Sequence, residues 1–299
     1  MELDGPPMAA EPWSRIVSVN EPLQESSGAQ IPRDRMMLRT VPGRLGGKTY
    51  LYLPKNWHPG REVLVAVHGI SRNARELVQL FAPWAARCGF AIVAPLFTRD
   101  RYPDYQRLGL EKGKRRADDF LNNILDAFAG WTGAPAADLR LFGFSGGAQF
   151  AHRYALFHPG RVRALVLGAA GWYTMPDEGH AFPLGLAQAP LPALVELRQW
   201  LSLPMLVVVG SQDTERDDAL RQTPHLDATQ GMNRLERAQR FALAMRETAA
   251  RYAIVSRVEF ALLDGVGHGF GESMTRGGLA ERALPFLGLT APSFSGDRA

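Results

Sequence analysis

A serine in a Gly-x-Ser-x-Gly setting is the residue of this sequence most suited to nucleophilic chemistry. Residues 141–148 read LFGFSGGA, an apolar stretch that leads through Ser145 into a helical pattern. A strand, a turn and a helix in this order are typical of a nucleophile elbow, in which a strained turn exposes the serine hydroxyl. Gly143 and Gly147 are small enough for strand and helix to approach closely. A Gly-x-Ser-x-Gly motif by itself is more often an ordinary turn. Whether Ser145 is predicted to be a nucleophile therefore depends on residues elsewhere in the chain.

A serine hydroxyl is a poor nucleophile at neutral pH, so it needs a base and a third group that orients the base. We predict His268 as the base, because it lies in the glycine-flanked loop 264–270 after the last apolar run. Five other histidines are interpreted as packing, helix-end or exposed loop residues: His58, His152, His158, His180 and His225.

The carboxylate must come from a strand end that can reach the base. Asp213 directly follows the apolar run 205–209 and lies between Ser145 and His268 in the chain, so we predict it as the acid. Asp177 also meets the order Ser, Asp, His and remains an alternative. Three neighbours could serve if the loop were shifted: Glu215, Asp217 and Asp218.

An acyl-transfer site also needs backbone N–H groups that stabilise the negatively charged oxygen of the tetrahedral intermediate. The predicted donors of this oxyanion hole are the N–H of Gly146, at the start of the helix after Ser145, and the N–H of Ile70 or of Gly69. His68 precedes these residues at the end of a buried run. We interpret its role as structural rather than acid or base.

Strand-like and helical patterns alternate along the chain, which is typical of a parallel sheet. Eight strands are predicted at 36–40, 48–53, 63–67, 90–94, 139–144, 162–167, 205–209 and 258–263. Helices are predicted near 73–88, 117–128, 146–157, 233–252 and 279–286. Pro95 is expected to end the fourth strand. The expected fold class is therefore α/β, with a mostly parallel central sheet of about eight strands and helices on both faces.

The regular alternation is interrupted once and absent at the two ends. Residues 1–34 are rich in proline and polar residues and predict an extended or partly disordered arm. Residues 35–290 are expected to form one domain, with a lid inserted at about 171–202, where prolines and aromatic residues mix. Residues 291–299 are predicted to be a flexible tail.

Composition argues against several classes of protein. The net charge is +4, yet the 34 basic residues are interspersed with 30 acidic ones, so we expect no nucleic-acid partner. Cys88 is the only cysteine, which argues against disulfides and thiolate metal sites. We expect no cofactor, no metal and no membrane association, and a cytoplasmic location, because neither a secretory signal nor a long apolar run is evident. Composition leaves the oligomeric state open.

Together these features resemble the α/β-hydrolase family over residues 36–286. The resemblance depends on His68-Gly69 after the third predicted strand, the Ser145 motif after the fifth, Asp213 after the seventh and His268 after the eighth. The segment 143–150, GFSGGAQF, also looks like bacterial hydrolases related to polyhydroxybutyrate depolymerases and feruloyl esterases.

The resemblance implies a carboxylester hydrolase that works through an acyl-enzyme on a small-molecule ester. Ser145 would attack, His268 would transfer the proton and Asp213 would orient the imidazole. Trp172 and Tyr173 would line the acyl pocket or pack inside the lid. Thioesterase, acyltransferase, peptidase and carbon–carbon bond hydrolase activities use the same residues and stay open, as does a non-catalytic binding protein.

Overall fold

Eight strands form a single sheet in the computed structural model, which describes residues 31–291 apart from 44, 111–113, 136–137 and 189–193, and 194–196 by backbone alone. The predicted arm lies outside the described residues as far as residue 30, and the predicted tail lies outside them from residue 292. The strands are β1 (Met36–Val41), β2 (Gly47–Tyr52), β3 (Val63–Val67), β4 (Ala91–Leu96), β5 (Leu139–Phe144), β6 (Val162–Gly168), β7 (Met205–Gly210) and β8 (Val258–Leu263).

The sheet is mostly parallel, with spatial order β1-β2-β4-β3-β5-β6-β7-β8. The pairs β1–β2 and β2–β4 are antiparallel, and every later pair is parallel. The middle strands are buried along almost their whole length, which explains why they read as continuous apolar runs. This arrangement confirms the predicted α/β-hydrolase fold.

Helices and short turns connect the strands. The helices are α1 (Ala74–Cys88), α2 (Ala117–Thr132), α3 (Gly146–Phe157), α4 (Leu194–Ser202), α5 (Pro224–Thr229), α6 (Arg234–Arg251), α7 (Phe270–Thr275) and α8 (Leu279–Phe286). Asn73 caps the start of α1, because its side chain accepts a hydrogen bond from the N–H of Glu76. Within the described residues, none of these helices has both the length and the apolar character needed to cross a membrane.

Pro95 does not end the fourth strand, contrary to the sequence prediction. β4 continues to Leu96, and Pro95 lies opposite Thr49 of β2. Proline lacks an N–H, so it interrupts a ladder only where that donor is needed. The pairing of β4 with β3 covers only Ala91–Val93, and at Pro95 β4 is paired with β2 alone. The missing donor therefore falls beyond the doubly paired part of the strand.

The parallel strands place the candidate functional residues at one edge of the sheet. His68 follows β3, Ser145 follows β5, Asp213 lies three residues after β7 and His268 lies five residues after β8. The carboxyl ends of parallel strands meet at the same edge, so residues 55 or more positions apart along the chain come together. Described residues of the predicted lid include α4 and the irregular segment 171–188, while its extent as a separate unit stays a prediction.

Candidate active site

Ser145 occupies a strained turn between β5 and α3. Its φ and ψ angles are 54° and −115°, a region that non-glycine residues rarely adopt. A Cβ on Gly143 would lie 2.2 Å from the carbonyl oxygen of Gly147, and a Cβ on Gly147 would lie 2.0 Å from that of Val67. Strand and helix therefore touch through these two glycines, which is the close approach that the sequence motif predicts.

A line of hydrogen bonds joins Ser145, His268 and Asp213. The distance from Ser145 Oγ to His268 Nε2 is 3.1 Å, and that from His268 Nδ1 to Asp213 Oδ2 is 2.8 Å. With Asp213 ionised, Nδ1–H donates to Oδ2 and fixes the tautomer in which Nε2 accepts the proton of the serine hydroxyl. A serine, a base and an orienting carboxylate thus stand in the order that nucleophilic catalysis requires.

The carboxylate of Asp213 is almost completely buried, with 1% of its side chain exposed, and an arginine compensates its charge. The guanidinium of Arg234 lies 3.6 Å from Asp213 Oδ1 and 2.8 Å from an oxygen of Asp217. A buried carboxylate without a cation nearby would be costly to keep ionised. Arg234 thus places a positive charge beside Oδ1 of Asp213, the carboxylate oxygen that is not bonded to His268.

Sequence reasoning missed Arg234, although a weak signal was present. Arg234 is the first residue of α6, where the helix dipole disfavours a cation. A basic residue at that position therefore indicates a specific acidic partner nearby. The identity of the partners, Asp213 and Asp217, could not be read from the sequence.

The other sequence candidates for the acid have different partners. Asp177 Oδ2 lies 2.5 Å from Nδ1 of His180, in the segment 171–188. Asp217 accepts two hydrogen bonds from Arg234. Within the part of the chain that the structure describes, Asp213 is the carboxylate hydrogen-bonded to His268. His180, interpreted as an exposed loop residue, lies in this irregular segment with 38% of its side chain exposed and is paired with Asp177.

The two predicted oxyanion donors lie side by side. A Cβ on Gly146 would lie 3.2 Å from the amide nitrogen of Ile70, so the backbones of the two residues approach closely beside Ser145. The phenol of Tyr105 donates a hydrogen bond of 2.8 Å to the carbonyl oxygen of His68 and so fixes the loop that carries Ile70. This arrangement is compatible with an oxyanion hole, whose role in catalysis stays a prediction.

His68 is fully buried and holds this loop in place as a neutral imidazole. Its Nδ1–H donates to the carbonyl oxygen of Gly69 at 2.8 Å, and its Nε2 accepts the N–H of Phe97 at 3.0 Å. Burial lowers the pKa of His68 to about 4, with a smaller contribution from the Arg72 cation. A proton on Nε2 would also face the N–H of Phe97. These contacts agree with the structural role inferred from the sequence.

Trp172 and Tyr173 occupy packed positions after β6. The Tyr173 ring stacks on Phe241 with centroids 4.2 Å apart and is fully buried. The Trp172 indole lies under two guanidinium groups, with its centroid 4.1 Å from Cζ of Arg153 and 5.3 Å from Cζ of Arg221. Their assignment as walls of an acyl pocket stays a prediction. No cluster of three or more His, Cys, Asp or Glu side chains suitable for a metal ion occurs within the described ranges.

Comparison with known proteins finds similarity in structure. No protein-family model matches the chain, and no curated protein matches it in sequence. A poly(aspartic acid) hydrolase-1 from Sphingomonas sp. KT-1 superimposes with a TM-score of 0.72 at 24% identity, covering 78% of this chain and 93% of that one. LpqC, a poly(3-hydroxybutyrate) depolymerase from Bordetella parapertussis, superimposes with a TM-score of 0.72 at 27% identity, covering 83% and 86%.

A ferulic acid esterase is also similar, with a TM-score of 0.55 at 16% identity, covering 86% of this chain and 98% of that one. The match to the depolymerase confirms the resemblance to that group which the segment 143–150 predicts, and the ferulic acid esterase shares the fold. The chain has the α/β-hydrolase fold, and in structure it resembles the esterases and serine hydrolases of that fold.

Proposed function

We propose that this protein is a serine hydrolase that cleaves carboxylic esters through an acyl-enzyme. The observation that carries the proposal is the hydrogen-bonded line from Ser145 to His268 to Asp213, which begins at a strained turn. Strain of this kind persists only where the surrounding structure imposes it, and it is concentrated at functional sites. The similarity to hydrolases and esterases supports the same activity.

In the first half of the reaction, Ser145 Oγ attacks the ester carbonyl carbon while His268 Nε2 takes the hydroxyl proton. The buried carboxylate of Asp213 stabilises the imidazolium that forms. The N–H groups of Gly146 and Ile70 donate hydrogen bonds to the oxygen that becomes negatively charged. His268 then protonates the departing alkoxide, and the acyl group stays on Ser145.

In the second half, water takes the place of the alcohol. His268 Nε2 accepts a proton from the water, whose oxygen attacks the acyl carbon. The tetrahedral intermediate collapses when His268 returns the proton to Ser145 Oγ, which releases the carboxylic acid. The chain's own side chains and amides supply each of these steps. The cytoplasmic location expected from the sequence remains a prediction beside this function.

A second candidate is hydrolysis of an amide bond with the same residues. It is favoured by the structural similarity to the poly(aspartic acid) hydrolase. The two candidates differ in the leaving group, because an amine must be protonated before it departs while an activated alkoxide need not be. Comparing esters and amides that carry the same acyl group would therefore separate them.

The proposed activity is tested with p-nitrophenyl esters of increasing chain length. We expect turnover by the wild type and a fall in kcat of roughly 10⁵-fold or more for Ser145→Ala, because the nucleophile is removed. A fluorophosphonate probe should label the wild type and not the variant. If the wild type shows neither Ser145-dependent turnover nor labelling, the proposed function is wrong.

A further inference from the structure

Three arginines are less than 2% exposed among the described residues: Arg153, Arg234 and Arg237. Two of them have carboxylate partners, since Arg234 pairs with Asp213 and Asp217, and Arg237 pairs with Asp227 at 3.0 Å. Arg153 has no carboxylate partner within the described residues. A buried cation without a counter-charge is costly, so it calls for an explanation.

The hydrogen bonds of Arg153 satisfy only part of its guanidinium. Nε donates to Thr174 Oγ1 at 2.9 Å, and one terminal nitrogen donates to the carbonyl oxygens of Gln106 and Gln149. The other terminal nitrogen is buried and has no partner. Guanidinium stays protonated in proteins, so this nitrogen keeps two donors that lack an acceptor.

The charges around Arg153 make its position more unusual. Burial is the main reason why the pKa of Arg153 is lowered. Two neighbouring cations, Arg107 and Arg221, lower it further. Arg107 is paired with Asp104, whereas Arg221 is exposed and lies over the same indole, Trp172, as Arg153. The cluster therefore runs from the solvent-exposed Arg221 to the buried Arg153 and carries a net positive charge.

This cluster is connected to the elements that surround the reacting serine. Arg153 follows Ser145 by eight residues on α3, which corresponds to about 12 Å along a helix axis. Its contact with Gln106 joins it to the 3₁₀ turn Tyr105–Arg107, and Tyr105 fixes the His68 loop. Trp172 belongs to the segment that follows β6, at the same sheet edge as Ser145.

We propose that the Arg153–Arg221 pair, whose guanidinium groups both lie over Trp172, is a subsite for a carboxylate on the acyl part of the substrate. Arginine presents a planar fork of donors that matches a carboxylate, and its hydrogen bonds to carboxylates are among the strong ones in proteins. The free donors of Arg153 would gain an acceptor, and the clustered positive charge would gain a counter-charge. The preferred substrate is then an ester whose acyl chain ends in a carboxylate several atoms from the cleaved carbonyl.

This inference depends on the proposed hydrolase function, so its test must separate the two. Mono-p-nitrophenyl esters of dicarboxylic acids from succinate to suberate are compared with neutral p-nitrophenyl alkanoates of the same chain length. We expect wild-type kcat/KM to be higher for the charged esters, with an optimum at an intermediate length. Arg221→Gln should lower kcat/KM about tenfold for the best charged ester and less than twofold for its neutral counterpart.

The matched control is Arg282→Gln, which removes an exposed arginine on α8, outside the cluster. It should leave both kinds of ester unaffected. If the wild type shows no preference for charged esters, or if Arg221→Gln lowers both kinds equally, the subsite is wrong. Ser145-dependent turnover of the neutral esters would still support the hydrolase in that case.

A binding measurement tests the subsite without catalysis. In the Ser145→Ala background, adipate should raise the Tm in a concentration-dependent way, and the added change Arg221→Gln should abolish this shift. Adding Arg282→Gln instead should preserve it. Equal shifts with and without Arg221 would overturn the proposal. If the wild type showed no esterase activity but the shift depended on Arg221, the result would support the subsite and contradict the hydrolase.

Discussion

Two of the aspartate–histidine pairs in the described part of the chain are joined through Nδ1 and lie in very different surroundings, whereas His158 meets Asp118 through Nε2. His268 lies 2.8 Å from Asp213 and His180 lies 2.5 Å from Asp177, both through Nδ1. Asp213 is 1% exposed and has a cation at its second oxygen, whereas the side chain of Asp177 is 46% exposed. Burial and charge compensation, rather than the hydrogen-bond distance, separate the two carboxylates.

The surroundings of the imidazoles differ as well. The Nε2 of His268 meets the hydroxyl of Ser145, while the ring of His180 lies 4.9 Å from the ring of His225 beside a cavity of about 320 Å³. Neither Ser145 nor His268 lines that cavity. An aspartate–histidine pair is therefore insufficient to mark an active site. The strained serine on the far nitrogen distinguishes the first pair from the second.

The largest effect is expected from removing the buried carboxylate. Asp213→Asn should lower kcat on a p-nitrophenyl ester by roughly 10⁴-fold, because an amide neither stabilises the imidazolium nor fixes the correct tautomer. Steady-state kinetics would measure the loss. If Asp213→Asn kept more than a tenth of wild-type activity, Asp213–His268 would have no greater role in catalysis than Asp177–His180.

A third histidine, His68, is hydrogen-bonded to backbone groups rather than to a carboxylate or a serine. Its effect on stability can be tested by changing the pH. Its pKa of about 4 lies below the value near 6.5 expected for the unfolded chain. Between these values the unfolded state binds a proton that the folded state does not, so the free energy of unfolding decreases as pH falls from 6.5 to 4. The contribution of His68 is about 3 kcal/mol.

Urea denaturation at pH 7 and pH 4.5 would measure this effect. The buried His152, whose pKa is also lowered by burial, adds to the acid sensitivity, so the comparison is made with His68→Gln. This variant should be less stable at pH 7 but lose less stability on acidification than the wild type. Equal losses in both proteins would show that His68 is not the group responsible.

A smaller effect is expected from replacing Arg234, the cation beside Asp213. Arg234→Met should lower kcat/KM about tenfold, because the buried carboxylate of Asp213 loses the positive charge beside its second oxygen. Arg234→Lys should recover part of the loss. The two residues act through one interaction, so Arg234→Met in an Asp213→Asn background should cause little further loss. A full tenfold loss in that background would indicate that Arg234 acts elsewhere.

The smallest effect is expected at the exposed pair. Gly179 N–H and then His180 hold the pKa of Asp177 below its usual range, but a pair this exposed contributes little to stability. Asp177→Asn and His180→Ala should each change kcat/KM less than twofold and the Tm only slightly. A loss comparable with that of Asp213→Asn would reverse the assignment of the two pairs.

The sequence by itself determined the fold class and the order of the functional elements. Continuous apolar runs such as 205–209 predict buried parallel strands, because such strands have no exposed face. The glycines around Ser145 predict an elbow, because a Cβ at Gly143 or Gly147 has no room. These signals are local, so they can be read without knowing the tertiary structure. Pro95 was the exception, since its tolerance depends on which neighbour pairs with β4 at that point.

The tertiary structure decided which distant groups meet. Asp213 and Asp177 both fit the required chain order, and only the arrangement of β7 and β8 brings Asp213 to His268, while Asp177 meets His180. Arg234 and Arg153 are ordinary charged residues in the sequence, and their importance follows from burial and from the charges packed around them. Electrostatic environment is a property of three-dimensional neighbours, so local sequence patterns could predict the reacting serine but not the charges that surround it.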